Sequence, residues 1–303
     1  MIKKIPRWLT AFSILIGIAG FYSCCSFASG SFIQIKGSDT EVNLVQRLAE
    51  VYMEHHPEVY IAVTGGGSGT GIAALINKKT DIANLSREMT PEEIKRAIKN
   101  GVNPVKWVIA MDGISVIVNA KNPVNKLTLK QISQIFSGKI KNWREVGGEN
   151  IPISLYGRQS NSGTFIYFRN HIVKADYSDR MKRMNGNAQI VESIKRDVAG
   201  IGYVGVGYVL EGGGKLAKGI KVLKIAKDEH SPGVSPLNFE NVEKGVYPIA
   251  RPLYQYSNGC PKGKVLEFVR FELSKEGQKI VIEQGFYPVN AEYRKLNRKN
   301  LGF

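Results

Sequence analysis

Two stretches of this 303-residue chain gather glycines and hydroxyls just where a helix is due to begin. Thr64 to Gly71 reads Thr-Gly-Gly-Gly-Ser-Gly-Thr-Gly, between an alternating apolar run (Val59, Ile61, Val63) and a helical one (Ile72, Leu75, Ile76). Glycines let successive backbone N–H groups turn toward one point, the hydroxyls of Ser68 and Thr70 flank Gly69 as further donors, and the helix start adds partial positive charge. The second stretch, Gly157-Arg158-Gln159-Ser160-Asn161-Ser162-Gly163-Thr164, follows alternating Ile151, Ile153 and Leu155 and precedes Phe165, Phe168 and Ile172 on one helical face. Here Arg158 adds a planar fork of donors to Ser162, Gly163 and Thr164. Both stretches have the chemistry of oxyanion binding, and their repetition points to one shared site.

Enzyme readings of the first loop fail on spacing. A nucleotide-binding P-loop needs lysine after its last glycine, and the residue after Gly71 is Ile72. A dinucleotide fingerprint started at Gly65 or Gly69 meets Thr70 or Ala74 where its third glycine belongs. A hydrolase elbow built on Ser68 would need glycine at Thr70. His55 and His56 stand before Pro57 with no second ligand at metal-binding spacing, so no metal is expected.

Three further segments carry polar residues at suggestive places. Gly37-Ser38-Asp39-Thr40-Glu41 follows a short strand (Ile33, Ile35) and precedes a helical face of Val45, Leu48, Ala49 and Tyr52; Ser38 and Glu41 have capping-box spacing. Ser38 and Thr40 therefore read either as helix caps or as ligand donors. Ser86 and Arg87 follow a short apolar strand (Ile82, Ala83, Leu85), at the carboxyl end where open α/β sheets place ligands. Asp112 interrupts an apolar run from Trp107 to Val118, and Gly113 beside it fits a turn as well as a buried acceptor facing a ligand.

The elements that must position these residues alternate as strand and helix, which argues for an α/β fold with mostly parallel sheets covered on both faces. Thr90-Pro91-Glu92-Glu93 opens one helix, with Thr90 at the N-cap and Pro91 at its first position. Gly200 to Leu210 reads as a glycine-interrupted strand, Gly212 to Gly214 as a turn, and Tyr247 to Tyr256 as a strand returning the chain to the first sheet. Helices over 265–273 and 274–284 follow, then a basic tail, 294–300, read as solvated. The composition, 43% hydrophobic and 22% charged, suits a folded globular chain and not a disordered one.

Lys3, Lys4 and Arg7 precede an apolar run from Trp8 to Tyr22, shorter than the roughly 20 residues that span a bilayer. Residues 1–28 read as a secretory signal peptide cleaved after Ala28, with Gly30 the second choice. Lipidation at Cys24 or Cys25 is the alternative, disfavoured by the bulky Phe21 and Tyr22 before it. The exported chain would keep only Cys260, so no internal disulfide is expected. The formal charge of +16 falls to +13 without Lys3, Lys4 and Arg7. Those basic residues are dispersed and form no nucleic-acid motif, which leaves steering of a small anion or surface effects as their use.

Gly-Ser-Asp-Thr at 37–40, Gly-Ser-Gly-Thr-Gly-Ile at 67–72, Asp81-Ile82-Ala83 leading to Ser86-Arg87-Glu88, Met111-Asp112-Gly113-Ile114, Gly157-Arg158 with Ser162-Gly163-Thr164, Gly200-Ile201-Gly202-Tyr203-Val204 and Ser274-x-Glu276-Gly277-Gln278 stand in one order. That ordered set resembles the PstS-like periplasmic phosphate-binding proteins of Pst-type ABC transporters, over essentially all of the exported chain. The resemblance implies a two-lobed, type II-like binding-protein fold crossed twice by the chain, near Asp112 to Ser115 and Tyr247 to Leu253. Residues 31–113 with 251–303 would form one lobe and 114–250 the other. It further implies contacts to inorganic phosphate from Ser38, Thr40, Ser68, Gly69 and Thr70 on the first lobe and Arg158, Ser162, Gly163 and Thr164 on the second.

No bond is broken in such a site, so no catalytic residue and no cofactor is expected; the partners would be phosphate and the membrane permease of an ABC transporter, with a monomeric chain and no nucleic acid. A carboxylate that accepts phosphate's proton would repel sulfate, which has none, and Asp112 is the candidate. Some relatives carry that acid just after the serine matched by Ser86, where this chain has Arg87. The departure leaves Arg87 as a second arginine at the ligand or as half of a structural ion pair. The alternatives are another tetrahedral oxyanion (tungstate, molybdate or sulfate), or a secreted phosphatase or esterase using Ser68 or Ser162, neither of which has a base nearby in sequence.

Overall fold

The computed structural model describes residues 31–211 and 214–303. The expected signal peptide, Cys24 and Cys25 lie outside the described residues, as do Gly212 and Gly213 of the expected turn. The described residues begin with β1 (Ser31–Gly37), α1 (Val42–His55), β2 (Val59–Thr64), α2 (Ser68–Ile76), β3 (Ile82–Leu85), α3 (Pro91–Lys99) and β4 (Pro104–Gly113). After one residue come β5 (Ser115–Asn119), β6 (Lys126–Thr128), α4 (Leu129–Phe136), β7 (Ser154–Arg158), α5 (Gly163–Phe168), β8 (Lys182–Met184), α6 (Asn187–Arg196) and β9 (Gly200–Val204). The short strands β10 (Leu210–Glu211), β11 (Lys215–Leu216), β12 (Ile220–Val222) and β13 (Lys224–Ala226) lead to α7 (Phe239–Glu243) and β14 (Ala250–Asn258). Three helices close the chain, α8 (Gly263–Leu273), α9 (Lys275–Glu283) and α10 (Ala291–Leu301).

Two five-stranded sheets result, ordered β2-β1-β3-β14-β4 and β12-β5-β9-β7-β8, and each with its helices makes a lobe. Strands joined through a helix pair in parallel, as β1 does with β2 and β3, and β7 with β8 and β9. The strands that enter from the other sheet pair antiparallel: β14 lies between β3 and β4, and β5 between β9 and β12. The parallel character inferred from alternation thus holds for the helix-linked strands, while the strands that cross between the sheets, β5 and β14, add antiparallel pairs.

Helix α1 buries Leu44, Val45, Leu48, Ala49 and Tyr52 against the first sheet, the face its spacing predicts. Its entry differs: Glu41 is the N-cap residue, with no side-chain cap, and its carboxyl is wholly buried. The expected Ser38–Glu41 capping box does not form. At α3 it does, with Thr90 Oγ1 accepting from Glu93 N at 3.2 Å and Glu93 Oε2 accepting from Thr90 N at 2.8 Å.

The segment read as a solvated basic tail is helix α10, capped by Asn290. Buried Asn297 accepts from Val108 N at 2.9 Å and donates to Val108 O at 2.8 Å, and Asn300 donates to Lys106 O at 2.9 Å. These amides satisfy the outer side of edge strand β4, whose unpaired backbone groups would otherwise invite another strand. Lysines and arginines mask this role in the sequence because they occupy the outer face of the same helix.

Candidate anion-binding site

The loops after β1, β2 and β3 bring Ser38, Thr40, Ser68 and Ser86 to one end of the first sheet, all at most 2% exposed. Facing them across the cleft is the start of α5, where Ser162 caps the helix by accepting from Phe165 N at 3.4 Å. Thr164 lies one residue past Gly163 and is fully buried. Its Oγ1 is 2.9 Å from Thr40 Oγ1 and 3.4 Å from Ser86 Oγ, so the hydroxyls of the two lobes meet. Ser68 Oγ accepts from Ser86 N at 3.0 Å and lies 3.3 Å from Ser86 Oγ. Gly163 makes the approach feasible: a Cβ there would lie 2.3 Å from Ser68 Oγ and 2.7 Å from Ser86 Oγ.

Arg158, at the end of β7, is 1% exposed. Its Nη2 donates across the cleft to Asp39 Oδ2 at 2.6 Å and to Asn185 O at 2.9 Å, whereas Nε and Nη1 have no partner among the described residues. Ser38 Oγ is likewise buried without a partner. Burial pushes the Asp39 carboxyl up against the pull of Arg158, and pushes the Arg158 guanidinium down against the pull of Asp39. Desolvation raises the wholly buried Glu41 carboxyl well above its ordinary value, against the pull of Arg251. Its two oxygens also lack hydrogen-bond partners among the described residues.

Several expected site residues have other employment. Arg87 turns its fork onto Glu93, Nη1 to Oε2 and Nη2 to Oε1, both at 2.8 Å, and donates to Glu88 O at 2.7 Å. Of the two roles open to it, the geometry is that of the structural ion pair. Thr70 is exposed, and its hydroxyl donates back to Gly66 O at 2.8 Å. Gly69 N donates to Asn161 O of the other lobe at 2.9 Å, and Asn161 Nδ2 returns a bond to Gly66 O at 2.8 Å. Thr70 and Gly69 therefore shape and zip the cleft.

Asp112 is buried as the sharper reading expected, yet it is no free acceptor. Its Oδ1 takes Val206 N at 2.9 Å, and its Oδ2 takes Nε and Nη2 of Arg251 at 3.0 and 2.8 Å. Arg251 is also absent from the contacts expected from the sequence, as is Asp39, which enters there only as part of the Gly-Ser-Asp-Thr motif. The available signal was the same for Arg251 as for Asp112: a lone charge inside an apolar strand. The two have opposite sign and stand opposite each other in the β4–β14 ladder.

A family model described as the PBP superfamily domain matches residues 26–276. The phosphate-binding protein PstS of Pseudomonas aeruginosa is 32% identical over 299 residues, covering 93% of this chain and 90% of that protein. The chain belongs to the PstS family of phosphate-binding proteins. Another relative, the protein SphX of Synechococcus elongatus, is 32% identical over 88% of this chain and 80% of its own. Among solved structures, a putative phosphate ABC transporter substrate-binding protein from Clostridium perfringens with bound phosphate superposes with a TM-score of 0.75. It is 28% identical and covers 86% of this chain and all 100% of that one. An ABC-type phosphate transport receptor from Vibrio cholerae gives a TM-score of 0.67 at 27% identity, over 85% and 100% of the two chains. Among the described residues no helix is long and apolar enough to cross a membrane.

Proposed function

We propose that this chain captures inorganic phosphate between its two lobes and hands it to the permease of an ABC transporter outside the cytoplasm. One observation carries the reading: unpartnered buried donors, Ser38 Oγ and Arg158 Nε and Nη1, accompany the hydroxyls of Thr40, Ser68, Ser86 and Thr164 where the lobes meet. Buried donors left unsatisfied cost on the order of 1–3 kcal/mol each, and an oxyanion supplies their acceptors. Arg158 and Arg251 are matched by Asp39 and Asp112. The anion is thus held by oriented dipoles and charge-assisted bonds more than by net charge.

In this reading the ligand touches Ser38, Thr40, Ser68 and Ser86 from the lobe of 31–113 and 251–303, and Arg158, Ser162, Gly163 and Thr164 from the lobe of 114–250. The acid that reads phosphate's proton is Asp39, half-buried in the cleft with only Oδ2 committed to Arg158, in place of the saturated Asp112. The N-terminal 28 residues direct export, and the chain acts as a monomeric carrier with no bond-breaking step. Isothermal titration of the exported chain with phosphate, sulfate, molybdate and tungstate tests the proposal. Tight phosphate binding with sulfate weaker by about a hundredfold or more is expected; tight sulfate binding without phosphate binding would overturn it.

A further inference from the structure

Arg251 sits where β14 leaves the second lobe, at 1% exposure, and its guanidinium touches both halves of the cleft. Nε and Nη2 hold Asp112 on the neighbouring strand, Nη1 donates to Ser86 O at 2.9 Å, and Nη2 donates to Thr164 Oγ1 at 2.9 Å. The cation also lies over the Tyr167 ring of the second lobe, 5.4 Å from its centroid. Tyr167 in turn donates to Ala250 O at 3.1 Å, next to Arg251 in the chain.

An arginine only donates, so Thr164 Oγ1 must accept from it. That fixes one lone pair and sends the single Thr164 hydroxyl proton away from Arg251, toward the side where Thr40 Oγ1 and Ser86 Oγ lie. Ser86 is pinned in a complementary way: Arg251 takes its carbonyl and Ser68 Oγ takes its N–H, leaving its own hydroxyl as the unfixed group. One guanidinium therefore orients the Thr164 hydroxyl of the second lobe and holds the Ser86 backbone of the first, bridging the two. Its charge is balanced by Asp112, so the task adds no net charge beneath the anion.

We infer that Arg251 is a positioning residue for anion capture, a clasp at the lobe crossing that aligns the Thr164 hydroxyl, anchors the Ser86 backbone and favours the closed clamp. The inference rests on the phosphate-binding reading and adds to it a residue outside the expected ligand contacts. Removing Arg251 alone would strand buried Asp112, so two gentler changes serve: Arg251→Lys, whose single ammonium cannot span three acceptors, and the neutral pair Arg251→Gln/Asp112→Asn.

The experiment measures phosphate affinity, the phosphate dissociation rate, and the radius of gyration by small-angle scattering at saturating phosphate, with melting temperature as the stability record. Asn297→Ala, which loosens the same strand β4 without touching a cleft hydroxyl, is the structural control. Expected are affinity losses of about tenfold or more in both Arg251 variants, faster dissociation, and a larger radius at saturation, with wild-type affinity in Asn297→Ala. Wild-type affinity and dissociation rate in folded Arg251→Lys and in the double variant would overturn the inference, as would losses no larger than in the control at equal melting temperature. A wild-type chain that binds no phosphate would instead overturn the functional reading itself.

Discussion

Asp39 and Arg158 form a 2.6 Å ion pair between the lobes, yet burial opposes the charged form of each. The pair is held in place by its surroundings and not merely by mutual attraction, which suits groups that must also meet a ligand. Asp39→Asn should weaken phosphate binding by about tenfold or more while strengthening sulfate binding, measured by paired titrations at neutral pH. Equal losses for the two anions would reduce Asp39 to a support for Arg158. Arg158→Ala should weaken both anions by about a hundredfold, whereas Lys295→Ala, on the exposed face of α10, should leave both unchanged. The donors of the site were legible in sequence because Ser-Gly-Thr at a helix start is a local pattern. Asp39 was not, because its role depends on Arg158, 119 residues away.

Helix α10 shows the same division at the level of elements. Strands and amphipathic helices declare themselves by period, as α1 did through Val45, Leu48, Ala49 and Tyr52. The stretch from Arg294 to Asn300 has few apolar residues, and what docks it is an amide pair on an edge strand, a contact without periodicity. Asn297→Ala leaves the N–H and C=O of Val108 without these partners. It should cost about 1–3 kcal/mol in denaturant unfolding and speed hydrogen exchange at Val108, with phosphate affinity unchanged. Unaltered exchange would mean that α10 is held by its apolar contacts alone. The antiparallel entry of β5 was hidden for a related reason, since a crossing of the single residue Ile114 leaves no pattern of its own.

Across the whole molecule, the first lobe is built around buried polar groups. Gln255 accepts from Trp107 Nε1 at 2.8 Å and donates to Asn84 Oδ1 at 3.1 Å and Glu272 Oε1 at 3.0 Å. Burial lifts the Glu272 carboxyl to about 8 from 4.5, against the bond from Gln255. Between those values the folded chain keeps a proton that the unfolded chain releases, so stability falls as pH rises through that window. Glu41 is shifted in the same direction. The melting temperature should therefore drop from pH 5 to pH 8, and Glu272→Gln should shrink that drop by roughly 2–10 °C. Parallel pH profiles for the two proteins would sink the assignment.

The division of the cleft has a mechanical consequence. Neither lobe alone carries a complete set of donors: the first contributes hydroxyls and Asp39, the second Arg158 and Thr164. Spreading the lobes by a few ångströms separates Thr40 from Thr164 and Asp39 from Arg158 at a stroke, and each half is left a poor grip. A transporter that seizes one lobe with each of its halves and leans them apart would unload the cargo like opened tongs, without inserting a group of its own into the cleft.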